Sequence, residues 1–176
     1  MSALSRALAS LGPIGVLVLG LDFTPAFAGE VPGSAPVKIA VFDFTLEDAS
    51  PSEALLGRST SRATAMDTVS AAARSELARS GRYTVIDPSQ VAAAQKSLQN
   101  CNGCEATVAL QLGAEQSLAG VVTKVTQTDY YVRIQIRDAR SGKLLDQEEA
   151  NFAGGEEGWA TGVRMLIKHQ ILAGAD

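Results

Sequence analysis

The chain has 176 residues, with 15 Lys and Arg against 19 Asp and Glu and a formal net charge of −4 at pH 7. That mild acidity comes without any Lys/Arg block, so it reads as a solubility property and argues against nucleic acid or anionic lipid as partners. Two Cys disfavour a zinc site, since its remaining ligands would have to come from one His and scattered carboxylates, and any His-dependent nucleophile is restricted to His169.

Arg6 makes a small positive region, Leu11 to Leu21 an apolar stretch, and Ala26-Phe27-Ala28 an A-x-A exit before Gly29. The apolar run contains Pro13 and glycines and falls short of the about 20 residues that a bilayer span needs. Residues 1–28 are therefore read as a signal peptide cleaved between Ala28 and Gly29, with no Cys at the cleavage site to carry a lipid. One Arg and one Asp leave with it, so the mature chain keeps its charge. The expected compartment is the periplasm, with no membrane insertion. Residues 29–36, which include Pro and Gly, read as a flexible leader, and 37–176 as a single domain.

Val37 to Phe44 alternates with apolar residues on both faces, Ile39 and Val41 on one and Ala40, Phe42 and Phe44 on the other. This predicts a strand buried on two sides. Thr45 to Ser61 is polar, with Pro51 and Gly57, and reads as a long loop. Arg62 to Ser80 is a helix by its Met66, Val69, Ala73 and Leu77 spacing, with Gly81 as its stop. Arg82 to Ile86 is a short strand. Asp87 and Pro88 then open a helix to about Leu98, and Glu105 to Leu112 forms another before Gly113.

Ser117 to Thr126 is β-branched and apolar. Tyr130 to Arg137 alternates cleanly, with Tyr130, Val132, Ile134 and Ile136 facing one way. Leu144 to Phe152 is more polar and reads as a strand near an edge. Glu156 to Leu172 closes the chain as a helix with a stripe of Trp159, Val163, Leu166, Ile167 and Ile171. The order β-α-β-α-α-β-β-β-α predicts a two-layer α+β (α/β) domain: a mixed sheet with helices on one face, ending in a β-meander and a closing helix.

Chemistry is sparse. Cys101 and Cys104 bracket Asn102-Gly103, and in an oxidising compartment they are expected to pair as a structural staple. The alternative is a thioredoxin-like dithiol, which the setting between two helical segments disfavours, since such a motif follows directly on a central strand. Asp43, Glu47 and Asp48 cluster after the first strand, where open α/β sheets bind ligands, and are candidate binding residues. Tyr130 and Tyr131 point to opposite faces, which makes one of them core and Tyr131 a candidate contact. Asp146, Glu148, Glu149, Glu156 and Glu157 form an acidic region that could meet a basic partner. His169 lies off the stripe of the last helix. No phosphate-loop spacing is present, and no cofactor, metal or catalytic residue is assigned.

The ordered strings Val37 to Phe44, Gly81 to Asp87, Leu112 to Glu115, Leu118 to Val122 and Asp138 to Leu145 carry a resemblance. They resemble the exported α/β domain shared by the N-terminal domain of the Tol translocation protein B, the curli-secretion protein G and lipoprotein activators of penicillin-binding proteins. The chain is more similar still to a small family of secreted proteobacterial proteins of unknown function, with a CxxC-type pair before the Leu-Gly-Ala helix end and a Trp-bearing closing helix. The resemblance implies a non-catalytic accessory role, docking onto another envelope protein or a small ligand. A periplasmic thiol-disulfide protein using Cys101 and Cys104 is the competing expectation. The lipidated Cys, the propeller and any membrane-inserting segment of the better-known relatives have no counterpart here, so their specific functions do not transfer.

Overall fold

In the computed structural model, the residues described are 35–48, 60–91 and 103–174, all within the compact unit Ser34–Asp176. Among them are strands β1 (Val37–Val41), β2 (Thr45–Asp48), β3 (Tyr83–Ile86), β4 (Gln116–Lys124), β5 (Asp129–Asp138) and β6 (Leu144–Ala153). The helices are α1 (Thr60–Arg79), α2 (Cys104–Gln111) and α3 (Trp159–Leu166). All six strands join one sheet of order β3-β1-β4-β5-β6, with β2 also paired to β4. β1 runs parallel to β3 and β4, β2 runs parallel to β4, and β4–β5–β6 is an antiparallel meander. The expected mixed sheet with a C-terminal meander and a closing helix is the observed architecture.

Ile39, Ala40 and Val41 have no exposed surface, as a strand between two parallel neighbours requires. β1 nevertheless ends at Val41, earlier than the alternation suggests. Val41 pairs with Leu118 and Thr45 with Val121, so Phe42, Asp43 and Phe44 oppose only Ala119 and Gly120. The surplus residue is a β-bulge, and it shifts the alternation by one. Phe44 consequently joins Ile39 and Val41 in the main core, while Phe42 stays with Ala40 on the other face. This corrects the expectation that the two phenylalanines share a face.

The long loop expected from Thr45 is corrected too. Its first four residues form β2, with Leu46 packed on the core and Thr45 and Glu47 paired with Val121 and Thr123. One inward apolar residue in so short a stretch is a faint alternation. Residues 49–59 of that loop lie outside the described residues.

On α1, Val69, Ala73 and Leu77 are fully buried, and the helix ends before Gly81, whose φ of 70° is the left-handed stop that glycine adopts without strain. α1 and α3 cover one face of the sheet together. They share a core cluster with Leu118, Val122, Tyr130, Val132, Ile134 and Ile136. The short α2 caps the opposite face, where Ala109 meets Ala40, Phe42, Ala114 and Ala139. One-sided helix cover therefore holds for the two longer helices, and the apolar side chains of β1 that point away from them draw α2 onto the second face.

Asp87 accepts a hydrogen bond from the Ser89 N–H at 2.9 Å, which makes it the cap expected of it. It opens a 3-10 turn, Pro88–Val91, and the rest of the expected helix lies outside the described residues. The closing helix is composite: a 3-10 turn at Glu156–Gly158, then α3, then a π-helical turn at Ile167–Ile171. Its predicted stripe is buried throughout, with Trp159 only 1% exposed. The ends of the fold meet at Arg82, whose carbonyl accepts from the Val37 N–H at 2.9 Å and whose guanidinium donates to the Leu172 carbonyl.

Candidate functional site

β1 and β3 are parallel neighbours followed by helices on opposite faces, the arrangement that opens a ligand crevice beyond the strand ends in α/β sheets. Here α1 fills it. The Arg74 guanidinium donates to the Val41 carbonyl from Nε at 3.2 Å and from Nη2 at 3.0 Å. The same Nη2 lies 2.6 Å from Asp43 and 3.2 Å from Asp87. One turn earlier, Ser70 Oγ accepts from the Phe44 N–H at 3.0 Å and donates to the Met66 carbonyl at 2.9 Å. α1 thus ties down the polar backbone that the bulge leaves without a ladder partner. Asp43 is occupied in a structural clamp.

Glu47 sits on the face away from α1 and α3, where its carboxylate accepts from Thr123 Oγ1 at 3.3 Å. Thr123 pairs in turn with Tyr131, and Tyr131 with Asn151. The Tyr131 hydroxyl is held by the Glu149 carboxylate, which pushes its pKa above the ordinary phenol value, with a smaller contribution from burial. Gln135 donates to Gln147 at 2.6 Å, and Gln147 to Glu149 at 2.7 Å, on the same face. Glu47 and Tyr131, nominated separately from the sequence, therefore lie on one polar face spanning β2, β4, β5 and β6, away from α1 and α3. Asp43 is turned away from it. Asp48 pairs with Lys124 in the strand register. Tyr130, by contrast, is buried, donates to the Gly158 carbonyl at 2.9 Å and stacks on Phe152.

Cys104 is the first residue of α2; Cys101 lies outside the described residues, as do Ala28 and Gly29. Glu105, next to Cys104, is 8% exposed, accepts from the Gly103 N–H at 3.1 Å and forms a 3.1 Å ion pair with Arg137 of β5. Among the described residues, no group of three or more His, Cys, Asp or Glu is placed to hold a metal ion, and no helix is long and apolar enough to cross a membrane. A cleft of about 130 Å³ beside Lys124, Asp129, Gly154 and Trp159 is small against the roughly 300–1,000 Å³ of small-molecule sites. Its neighbour Glu156 is held by Arg62 at 3.1 Å. His169 is exposed on the π turn.

The residue that sequence reasoning missed is Arg74. The available hint was positional: Asp43 and Asp87 each follow a parallel strand, and Arg74 stands on the helix between those strands.

Residues 37–171 match the family DUF3280, described as a protein of unknown function (DUF2380). The chain belongs to this family. The DUF3280 match begins with the first residue of β1 and ends with the last residue of the π turn, so it takes in Asp43, Glu47, Asp48, Cys101, Cys104 and Tyr131. No curated protein matches the chain. Among solved structures, it is similar to lipoprotein GNA1162 from Neisseria meningitidis, at 18% identity and TM-score 0.50, over 80% of this chain and 100% of that one. The C-terminal domain of LpoB from Salmonella enterica is similar at 14% identity and TM-score 0.47, over 69% and 86%. TolB from Acinetobacter baumannii is similar at 18% identity and TM-score 0.44, over 79% of this chain but 29% of TolB. At 18% identity the likeness to GNA1162 shows the fold alone.

Proposed function

We propose that this DUF3280 chain is an exported, soluble periplasmic accessory domain that acts without catalysis, by docking onto another envelope protein. The carrying observation is the polar sheet face from Glu47 through Thr123 and Tyr131 to Glu149, which lies away from α1 and α3 among the described residues. A half-buried tyrosine amid paired donors and acceptors suits a protein interface. The carboxylates nearest the ligand-binding end of the sheet are engaged by Arg74, which leaves them poorly placed as acid or base. The Arg6, Leu11 to Leu21 and Ala26-Phe27-Ala28 pattern supports export with cleavage before Gly29.

In that oxidising space Cys101 and Cys104 form a disulfide that staples the start of α2. A redox role would need the helix N-terminus to stabilise a thiolate, but the buried Glu105 carboxylate occupies the Gly103 N–H there. The test of docking is a photo-crosslinking residue at Tyr131 in the exported protein, with the same residue at exposed Asp67 of α1 as control. A discrete adduct specific to position 131 supports the reading; no adduct, or equal labelling at both positions, overturns it. For the thiols, a staple resists mild reductant, and Cys101→Ser lowers Tm. A potential between about −120 and −270 mV would instead support the redox reading.

A further inference from the structure

Resting on the docking reading, we propose that the outer edge of β6 is where the partner binds, and that the partner supplies an extended cationic segment that adds to the sheet as a further strand. β6 is 10 residues long and lies at the end of the sheet order, paired on one side with β5. No described strand pairs with its other side, so its outward N–H and C=O groups form a template for another chain. Strand addition takes most of its affinity from main-chain hydrogen bonds and its specificity from the side chains that flank the edge.

Those side chains define the occupant. Leu144 to Ala153 contains Asp146, Glu148 and Glu149 and no Lys or Arg. Asp146 and Glu148 pair with Ile136 and Ile134, which places them on the helix-covered face, whereas Glu149 pairs with Arg133 on the open face. Negative charge thus flanks the edge on both faces. Glu149 has Arg133 across the ladder and Tyr131 on its carboxylate, while Asp146 and Glu148 make no ion pair among the described residues. A bound strand meets carboxylates whichever way its alternate side chains point, so Lys or Arg on both faces is favoured.

A second copy of this chain is the wrong occupant. Antiparallel pairing of β6 with its own copy near the strand centre sets Glu148 opposite Glu148 in one register and Glu149 opposite Glu149 in the next, and like charges across a ladder are destabilising. An anionic membrane is repelled for the same reason. Leu144 and Leu145, 39% and 49% exposed where β6 begins, add an apolar contact at one end of the groove. The ladder is irregular there, with Arg137 paired to Leu144 and Ile136 to Asp146, so Leu145 is the surplus residue. Its backbone is the part of the edge least able to pair, and the register of the added strand is set from Asp146 onward.

The test uses the full chain and, as probe, a labelled peptide of repeating Lys-Lys-Val-Val as long as β6, which sets Lys on both faces of an added strand, beside an Ala-rich helical peptide of equal charge. The expected result is saturable binding of the extended peptide, slowed amide exchange confined to β6, and weakening by about tenfold or more when Asp146→Asn, Glu148→Gln and Glu149→Gln are combined. Salt titration of the parent protein gives the same electrostatic readout without any substitution. Equal affinity for the helical peptide, binding without protection in β6, or a β6-dependent dimer of the chain would each overturn the proposal. An adduct at Tyr131 without β6 protection would sink the edge and leave the docking reading intact; loss of both would remove both.

Discussion

The tyrosines show most directly how single residues respond to this fold. All three, Tyr83, Tyr130 and Tyr131, have their pKa raised above the ordinary value of 10.0, the first two chiefly by burial and the third chiefly by the Glu149 carboxylate. An unfolded phenol therefore loses its proton at a pH where the folded one still keeps it. The stability linked to these protons is complete below pH 10.0 and drains away as pH rises through the folded values. Phenolate absorbance should show late ionisation of all three, and the denaturation midpoint should fall in parallel. Glu149→Gln should return Tyr131 toward the ordinary value and leave Tyr83 and Tyr130 where they are. Gly120 makes a second prediction at this scale. A Cβ there would fall within the space of the Phe44 ring, which is itself only 4% exposed. Gly120→Ala should cost about 1–3 kcal/mol, seen as a lower Tm, and adding Phe44→Leu should recover part of the loss.

At the scale of elements, the sequence made the helix stripes and the meander legible because their periods are long and regular. Trp159, Val163, Leu166, Ile167 and Ile171 were visible as one face, and they are one. The bulge was not legible, because Val37 to Phe44 alternates equally well without it and only the pairing with β4 reveals the extra residue. Of the nominated site residues, Glu47 and Tyr131 share a face through Thr123, a neighbour fixed by strand register and invisible to local pattern. Asp43 lies just past β1, and its partner Arg74 is 31 positions away. That clamp is testable by a double-mutant cycle. Arg74→Met leaves the Val41 carbonyl without this donor and two carboxylates uncompensated, and should cost about 1–3 kcal/mol. Much of that cost should vanish when Asp43→Asn and Asp87→Asn are already present. The bulge itself makes a less intuitive prediction. Deleting Asp43 leaves Phe42 opposite Ala119 and Phe44 still over Gly120, so β1 and β2 merge without turning any core side chain outward. Circular dichroism should show a folded protein, whereas deletion of Phe44 should abolish folding.

For the whole molecule, cover is distributed unevenly. Among the described residues, two helices bury one face of the sheet; on the other, α2 protects the β1 end and the rest of the face is polar. That asymmetry is what the order of elements implied, although the placement of α2 across the sheet was not. The contact at Arg82 has a consequence of another kind. Because Val37 and Leu172 are both bonded to this one residue, the first strand begins where the last turn finishes. Within the described residues the domain is close to a closed ring, its first strand beside its last turn. A circular permutant that joins Leu172 to Val37 through a short Gly-Ser linker, with new termini in the exposed Ser141–Gly142 turn, should fold. Fluorescence of the buried Trp159 should report a cooperative transition near that of the parent, and a permutant that stays unfolded would contradict the closure. Such a molecule would start with β6, moving the interaction edge to the front of the chain while its surroundings stay the same.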